Sequence, residues 1–510
     1  MSNYRQQFID FNKSFWSKVP IKIDVVLVEG RPYINQVIAS SLTAKAIQKL
    51  EKIPTVVWLS AQQNKDIYQS FSIERFLNKK RYAVLYFHYI LPYTIYAVCK
   101  LFIQLVIKKY RIEYFIDFYK IDGIRLGDLI YDSYIRNDLK FLNPNLKSLK
   151  FIKIFVKTVI EFYSIKHFFK KHNVRYAIVS KWHYNNSGAI IARYALFNNI
   201  KVIHTPFDKV QVLTNYNHLF HDSFKIFNLD SSDFDINALN EKINERFSGT
   251  GIGFDVKSAF SKKLWSSDDL SLYFGKKYDK SKKNIFIMLH AFSDANHLSG
   301  KLIYRDYYKW FKETIRIVHT LSNVNWIVKQ HPSLEEYGEQ GIVTDFLEQN
   351  NNNVFLLPEN FNTMSVLKVA DAVITARGTI ALEASLFGIP AVLAGESNFS
   401  HLGFTHDMED ILQYEEILKN IEKLPRLSEN QILLAQKAFN NYPLLTGSKL
   451  DDSEKSWVFV PDFSPSQSIK RKEDEESKYF KYILCEIGEE YSGQNNVYYK
   501  NILEQLEQLE

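Results

Sequence analysis

Val324-Asn-Trp-Ile-Val-Lys-Gln-His-Pro332 and Ala372-Val-Ile-Thr-Ala-Arg-Gly-Thr-Ile-Ala-Leu-Glu383 decide the fold. In each, a short apolar run ends in a polar turn, and the second turn opens a helical segment that stops at Gly388. Uninterrupted apolar runs of this length suit strands buried on both faces, as in a parallel sheet. Working outward, strand-like runs at 285–289, 325–329, 354–357, 372–375 and 391–393 alternate with helical segments at 305–321, 337–349, 364–370 and 379–387. In the first of these helices Tyr308, Phe311, Ile315 and Val318 share one stripe, as packing against a sheet requires. The rhythm predicts a mostly parallel sheet with helices on both faces. Ligands of such sheets collect at the carboxyl ends of the strands, where both polar turns lie.

The amino-terminal half carries the same signature. Residues 23–28 and 55–59 are apolar runs around a helical 36–50, and 176–180 and 201–204 bracket a helical 187–197. At 510 residues the chain exceeds what one core serves. The expected division is an amino-terminal α/β domain over 1–265 with a basic, aromatic helical insertion at about 79–172, a second α/β domain over 266–460, and a charged linker with closing helices over 461–510. The closing helices are expected to pack back on the first domain. Residues 83–107 form the longest apolar stretch, but His88, Pro92, Lys100 and Gln104 interrupt it, which argues against a membrane span. Residues 146–171 set Lys147, Lys150, Lys153 and Lys157 against an apolar stripe. That pattern is either a solvated face over a core stripe or a membrane-facing amphipathic helix.

Composition narrows the function classes. Two cysteines, Cys99 and Cys485, form neither a disulfide framework nor a metal-ligand spacing, which suits a reducing cytoplasm. No secretory signal pattern opens the sequence. A net charge of +7 without zinc-knuckle, helix-turn-helix or RNA-binding signatures speaks against nucleic acid. Basic clusters beside apolar residues instead make a membrane surface a candidate partner.

Pro332 holds His331 extended at a strand end, where its ring can donate to a phosphate oxygen beside Lys329. Arg377, Gly378 and Thr379 form a polar turn before a helix, whose amides, hydroxyl and guanidinium suit an anion. Glu383 lies one turn deeper on the face of Thr379, a spacing suited to ribose hydroxyls rather than to a capping box. Ser293 and Asp294, within His290-Ala-Phe-Ser-Asp-Ala-Asn-His297, follow the first strand of the second domain and are candidate donor contacts. No recognised metal-ligand spacing occurs there, and no metal is expected. In the first domain, Asp128 and Asp132 in Gly127-Asp-Leu-Ile-Tyr-Asp132, then Glu29 and His183, are candidate general bases or nucleophiles.

The block 290–395, with Lys329-Gln-His-Pro332, Arg377-Gly-Thr379 and Glu383-Ala-Ser-Leu-Phe-Gly-Ile-Pro390, resembles the carboxyl-terminal domain of the bacterial capsule polysaccharide synthesis family. That family includes transferases of 3-deoxy-manno-octulosonate (Kdo). The resemblance implies the GT-B architecture, two Rossmann-like domains with parallel sheets facing a cleft. The His-Pro element and the hydroxyl-bearing turn are also similar to those of bacterial sialyltransferases. It implies that His331 and Thr379 contact a donor phosphate and Glu383 the ribose. Arg377 stands where such families often place a small hydroxyl residue, which gives the phosphate contact an ionic component.

These observations lead to an expected cytoplasmic glycosyltransferase of surface polysaccharide synthesis, peripheral to the inner face of the cytoplasmic membrane. It would use a CMP-activated acidic sugar, Kdo or a nonulosonate, as substrate and a lipid-linked or growing glycan as acceptor, with no bound cofactor. A departing CMP is a stabilised anion that His331 and Arg377 could neutralise without a metal. Two rivals remain: a CDP-polyol phosphotransferase of teichoic-acid type, which shares a Lys-x-His-Pro element, and a catalytically silent GT-B scaffold.

Overall fold

The computed structural model describes residues 3–18, 23–60, 64–136, 139–180, 182, 184, 186–205, 211–219, 236–248, 259–260, 262–297, 300–350, 353–359, 361–440, 479–481 and 496–507. The chain divides into two compact units, one of residues 1–134, 145–218 and 449–510, the other of 135–144 and 219–448. The main division falls at 218/219, upstream of the expected 265. The helix Ile236–Phe247 explains the difference, since its Leu239 belongs to the core of the second unit and its Arg246 bonds Glu383.

In the first unit the strands are β1 (Asp24–Glu29), β2 (Thr55–Leu59), β3 (Arg75–Asn78), a short antiparallel hairpin β4 (Lys120–Ile121) and β5 (Ile124–Arg125), then β6 (Asn173–Val179), β7 (Lys201–His204) and β8 (Gln211–Leu213). The main sheet runs β3-β2-β1-β6-β7-β8, parallel except for the antiparallel edge pair β7/β8. Every residue of β2 is buried, and every residue of β1 except Asp24. Hence these strands read as continuous apolar runs rather than as alternation.

The helix Ile34–Glu51 is buried almost all round because it lies between this sheet and other helical segments. Tyr479, Phe480 and the helix Val497–Glu507 join its core through Tyr498, Tyr499, Ile502 and Leu506. The carboxyl-terminal helix thus packs back on the amino-terminal fold, as the sequence led one to expect. The helix Leu149–Lys171 is a core element and not a membrane-facing one. Its stripe of Phe151, Phe155, Val159, Phe162 and Phe168 is buried, and Lys147, Lys153 and Lys157 are exposed.

In the second unit β9 (Asn284–Met288), β10 (Asn325–Lys329), β11 (Val354–Leu356), β12 (Ala372–Thr375), β13 (Ala391–Leu393) and β14 (His406–Asp407) form one fully parallel sheet ordered β11-β10-β9-β12-β13-β14. With the β4/β5 hairpin set aside, both sheets have the doubly wound order 3-2-1-4-5-6 of dinucleotide-binding folds. The expected α/β class with two Rossmann-like parallel sheets is what the chain adopts. One expected helix, 337–349, is two: Leu334–Tyr337 and Ile342–Gln349. Gly338 and Gly341, at φ 67° and 79°, break it, and the turn between them places Glu339.

Candidate functional site

In a doubly wound sheet the chain leaves the first and fourth strands in opposite directions, which opens a crevice at their carboxyl ends. In the second unit those strands are β9 and β12, and a histidine ties their two exit loops together. His290 Nε2 accepts the Arg377 backbone N–H at 3.2 Å and lies 3.1 Å from Thr375 Oγ1. The Gly378 N–H donates to the same Thr375 hydroxyl at 3.3 Å. The ring of His290 stacks on Tyr307, centroids 4.2 Å apart and planes 18° from parallel. Burial, His331 and Arg377 hold its pKa well below the usual histidine value, so it is a neutral strut accepting through Nε2. A Cβ on Gly378 would sit 2.9 Å from Thr375 Oγ1, so the turn closes only around glycine.

The sequence led to an expectation of free amides in this turn, and the structure corrects which ones they are. The Arg377 and Gly378 amides are consumed by His290 and Thr375. The amides of Thr379 and Ile380 have no acceptor among the described residues. Thr379 makes no capping bond with its side chain, so its partly buried hydroxyl is not spent on the helix Ile380–Leu386.

At the end of β10, Lys329 is 5% exposed and forms no hydrogen bond or ion pair among the described residues. Burial is the main cause of a pKa lowered to about 7; Lys262 lowers it further and Glu383 opposes the shift. Next to it the Gln330 side-chain carbonyl is buried without a hydrogen-bond partner. Buried polar groups are nearly always satisfied, so an orphaned carbonyl beside a lysine that forms no hydrogen bond among the described residues sets this strand end apart. His331 follows, partly buried, its Nδ1 accepting the Ser333 N–H at 3.2 Å. That bond places the ring proton on Nε2 as a donor.

Other expected residues have structural partners. Glu383 is buried, and its Oε1 accepts Arg246 Nε at 2.7 Å and Nη2 at 2.5 Å. Its carboxylate is therefore already neutralised by a guanidinium 137 residues away in sequence. Ser293 donates from Oγ and N to Glu339 Oε1 at 2.6 and 2.9 Å, and the Phe292 N–H donates to Oε2 at 2.7 Å. Glu339, which the sequence reading passed over, thus pins the loop after β9. Desolvation raises its pKa against these three donors. Asp294 is exposed at the loop tip, 4.0 Å from Arg136 Nη1. Among the described residues no group of three potential metal ligands gathers.

In the first unit, Asp128 is 1% exposed and clamped by Arg193 Nη1 and Nη2 at 2.6 and 2.8 Å, with the Leu129 N–H donating to Oδ1. It is a buried ion-pair partner at the start of the helix Gly127–Ile135, and not a poised base. Asp132, one turn on, is equally buried. His183 lies outside the described residues. Glu29 is as buried, 2% exposed, but it stands at the carboxyl end of β1, the first strand of its sheet. Its Oε2 accepts the Ser180 N–H after β6 at 3.2 Å, and its Oε1 accepts Arg31 Nη1 at 3.1 Å. It bridges the switch point of its sheet as His290 bridges the other.

Two sheets of order 3-2-1-4-5-6 with polar groups at their switch points define a doubly wound α/β protein. Residues 313–433, within the second unit, match the family model described as capsule polysaccharide biosynthesis protein. No curated protein sequence matches the chain. Among solved structures, the chain is similar to the beta Kdo 2,4 transferase of Thermosulfurimonas dismutans KpsC at 11% identity and a TM-score of 0.34, covering 52% of this chain and 79% of that one. The beta Kdo 2,7 transferase of the same protein gives 12% and 0.30 over 56% and 86%. UDP-GlcNAc 2-epimerase from Neisseria meningitidis, bound to UDP-GlcNAc, gives 12% and 0.23 over 81% and 97%. Likeness at this level carries no argument, and the fold assignment rests on the two sheets described above.

Proposed function

We propose that the chain is a glycosyltransferase of bacterial surface polysaccharide synthesis with a GT-B-type pair of Rossmann-like domains, and that the switch point of the second unit holds the phosphate of a CMP-activated acidic sugar. The observation that carries this reading is Lys329, a buried amine without a partner at the mouth of a doubly wound sheet. A phosphate beside it would restore its charge and satisfy it. The Nε2–H of His331, the hydroxyl of Thr379, the amides of Thr379 and Ile380 and the guanidinium of Arg377 are the further donors. Together they would disperse the charge that develops on CMP as the bond between the sugar's anomeric carbon and the phosphate oxygen breaks.

Glu29 is the candidate general base, taking the proton of the acceptor hydroxyl as that oxygen attacks the anomeric carbon. Glu383 serves by holding Arg246 and the helix after the turn, with ribose contact a role it could share only while so paired. The acceptor would be a lipid-linked or growing glycan at the inner face of the cytoplasmic membrane.

Calorimetric titration of CMP, UDP and GDP into wild type and His331→Ala tests the site. CMP binding that is lost in the variant supports the reading; preference for UDP or GDP removes the CMP donor, and absence of binding leaves the scaffold alternative. Product analysis then separates a glycoside from the phosphodiester of a CDP-polyol phosphotransferase, and turnover in a chelator tests metal independence.

A further inference from the structure

Beyond the site, the most unusual surface of the molecule lies on the first unit. The helical stretch Phe87–Ile107 is 21 residues long and apolar enough to cross a membrane, yet only 28% of its most apolar 18 residues are buried. Its inward stripe is Ile90, Thr94, Ala97, Leu101 and Leu105. That stripe seats the helix on Leu149–Lys171, where Tyr93 stacks on Tyr163 at 4.8 Å and Tyr89 meets His167 at 4.7 Å. Helical periodicity puts polar residues on the opposite face of an ordinary surface helix. Here that face is apolar: Phe87, Ile95, Tyr96, Phe102 and Ile107 are each more than half exposed, as are Val84 and Leu85 at the end of the preceding helix Lys79–Leu85. An exposed apolar surface this continuous marks a docking face.

Charge selects the occupant. Residues 75–112 contain eight Lys and Arg and not one Asp or Glu. Lys80 and Arg81 at one end, and Lys108, Lys109 and Arg111 at the other, are exposed. Aliphatic and aromatic side chains between two basic rims match the acyl region and the anionic headgroups of a bilayer surface. Because the inward stripe is committed to the domain, the helix can meet the bilayer only with its outer face.

We propose that Phe87–Ile107 is an in-plane membrane anchor that docks the first unit onto an anionic lipid bilayer, without crossing it. The inference rests on the membrane location in the reading above and names its surface; the helix Leu149–Lys171, which the sequence also offered, is buried and takes no part.

The test is flotation of the full chain with vesicles of phosphatidylcholine alone or mixed with phosphatidylglycerol. Binding is expected to the mixed vesicles and to weaken with salt. Ile95→Ser combined with Tyr96→Ser and Phe102→Ser should lower partitioning about tenfold or more. Lys108→Gln with Lys109→Gln and Arg111→Gln should remove the preference for anionic lipid. Unchanged melting and nucleotide binding in these variants show that the fold and site survive.

A polarity-sensitive dye on the exposed Cys99, with Cys485→Ser, gives a reading that leaves the apolar face intact, and its emission should shift to the blue on mixed vesicles. Failure of wild type to float, equal flotation of all variants, or a dye that does not respond overturns the proposal. So does resistance to carbonate extraction, which marks a span, or a dimer that the serine variant dissolves, which marks a second copy as the occupant. Wild type that binds CMP but does not float sinks the anchor alone; wild type that floats but does not bind CMP sinks the donor reading alone.

Discussion

Replacing Lys329 with methionine should make the protein more stable and deprive it of its ligand. The amine is 5% exposed, without a bonded partner among the described residues, and its pKa falls from 10.5 to about 7. A shift of that size corresponds to roughly 5 kcal/mol by which the native state disfavours the charged form. Between pH 7 and 10.5 the unfolded chain binds more protons at this group than the folded one. Its contribution therefore makes wild-type stability rise with pH across that window, with the full cost present below it. Methionine keeps most of the side-chain volume and removes the charge.

The expected outcome for Lys329→Met is a gain of roughly 1–4 kcal/mol at pH 7, since relaxation and water entry reduce the ideal figure, shrinking towards zero by pH 10.5. Urea unfolding followed by tryptophan fluorescence measures it, with Trp310 and Trp326 reporting from the core of the same unit. Nucleotide affinity should fall about a hundredfold, and wild-type binding at pH 8 should take up a proton, seen as a dependence of the calorimetric enthalpy on buffer ionisation. A variant that is less stable than wild type at pH 7, or that binds the nucleotide equally well, would refute the assignment of Lys329 as a ligand-satisfied cation.

Gly378→Ala, whose Cβ meets Thr375 Oγ1 at 2.9 Å, should weaken nucleotide binding about tenfold by calorimetry with little change in melting temperature. Asp128→Ala strands Arg193, itself 2% exposed, and should cost about 3–5 kcal/mol in urea unfolding; a soluble variant of full stability would return Asp128 to the list of bases. Glu29→Gln should keep nucleotide binding while turnover drops about a hundredfold or more, and unimpaired turnover would show that the base lies elsewhere.

Much of the fold was readable because parallel strands buried on both faces leave uninterrupted apolar runs, and β2, β9, β10 and β12 are of that kind. His331-Pro332 and Arg377-Gly378-Thr379 were visible as polar turns at the ends of such runs. Roles that depend on a distant partner were not. Nothing in Asp128 announces Arg193, and nothing in Glu383 announces Arg246, since each partner lies 65 or 137 residues away. His290 stood in plain sight as the residue after a strand, yet its task is defined by Thr375 and Arg377 on another loop. The signal that could have found it is topological: in a doubly wound sheet the residues after the first and fourth strands flank the same crevice.

The two membrane candidates separate the same way. Both 83–107 and 146–171 carry an apolar stripe, and periodicity states that a face is apolar without stating what covers it. The tertiary structure decided the matter by burying Phe151, Phe155 and Phe162 in the first unit while leaving Tyr96, Phe102 and Ile107 uncovered. By itself the sequence determined the alternation of strands and helices and the position of the polar turns, because those follow from local conformational preference and the period of apolar residues. Which carboxylates are neutralised by arginine, which lysine is left unsatisfied and which apolar face stays open were decided only by the packed chain. Desolvation and pairing are properties of neighbours in space, and local sequence does not specify them.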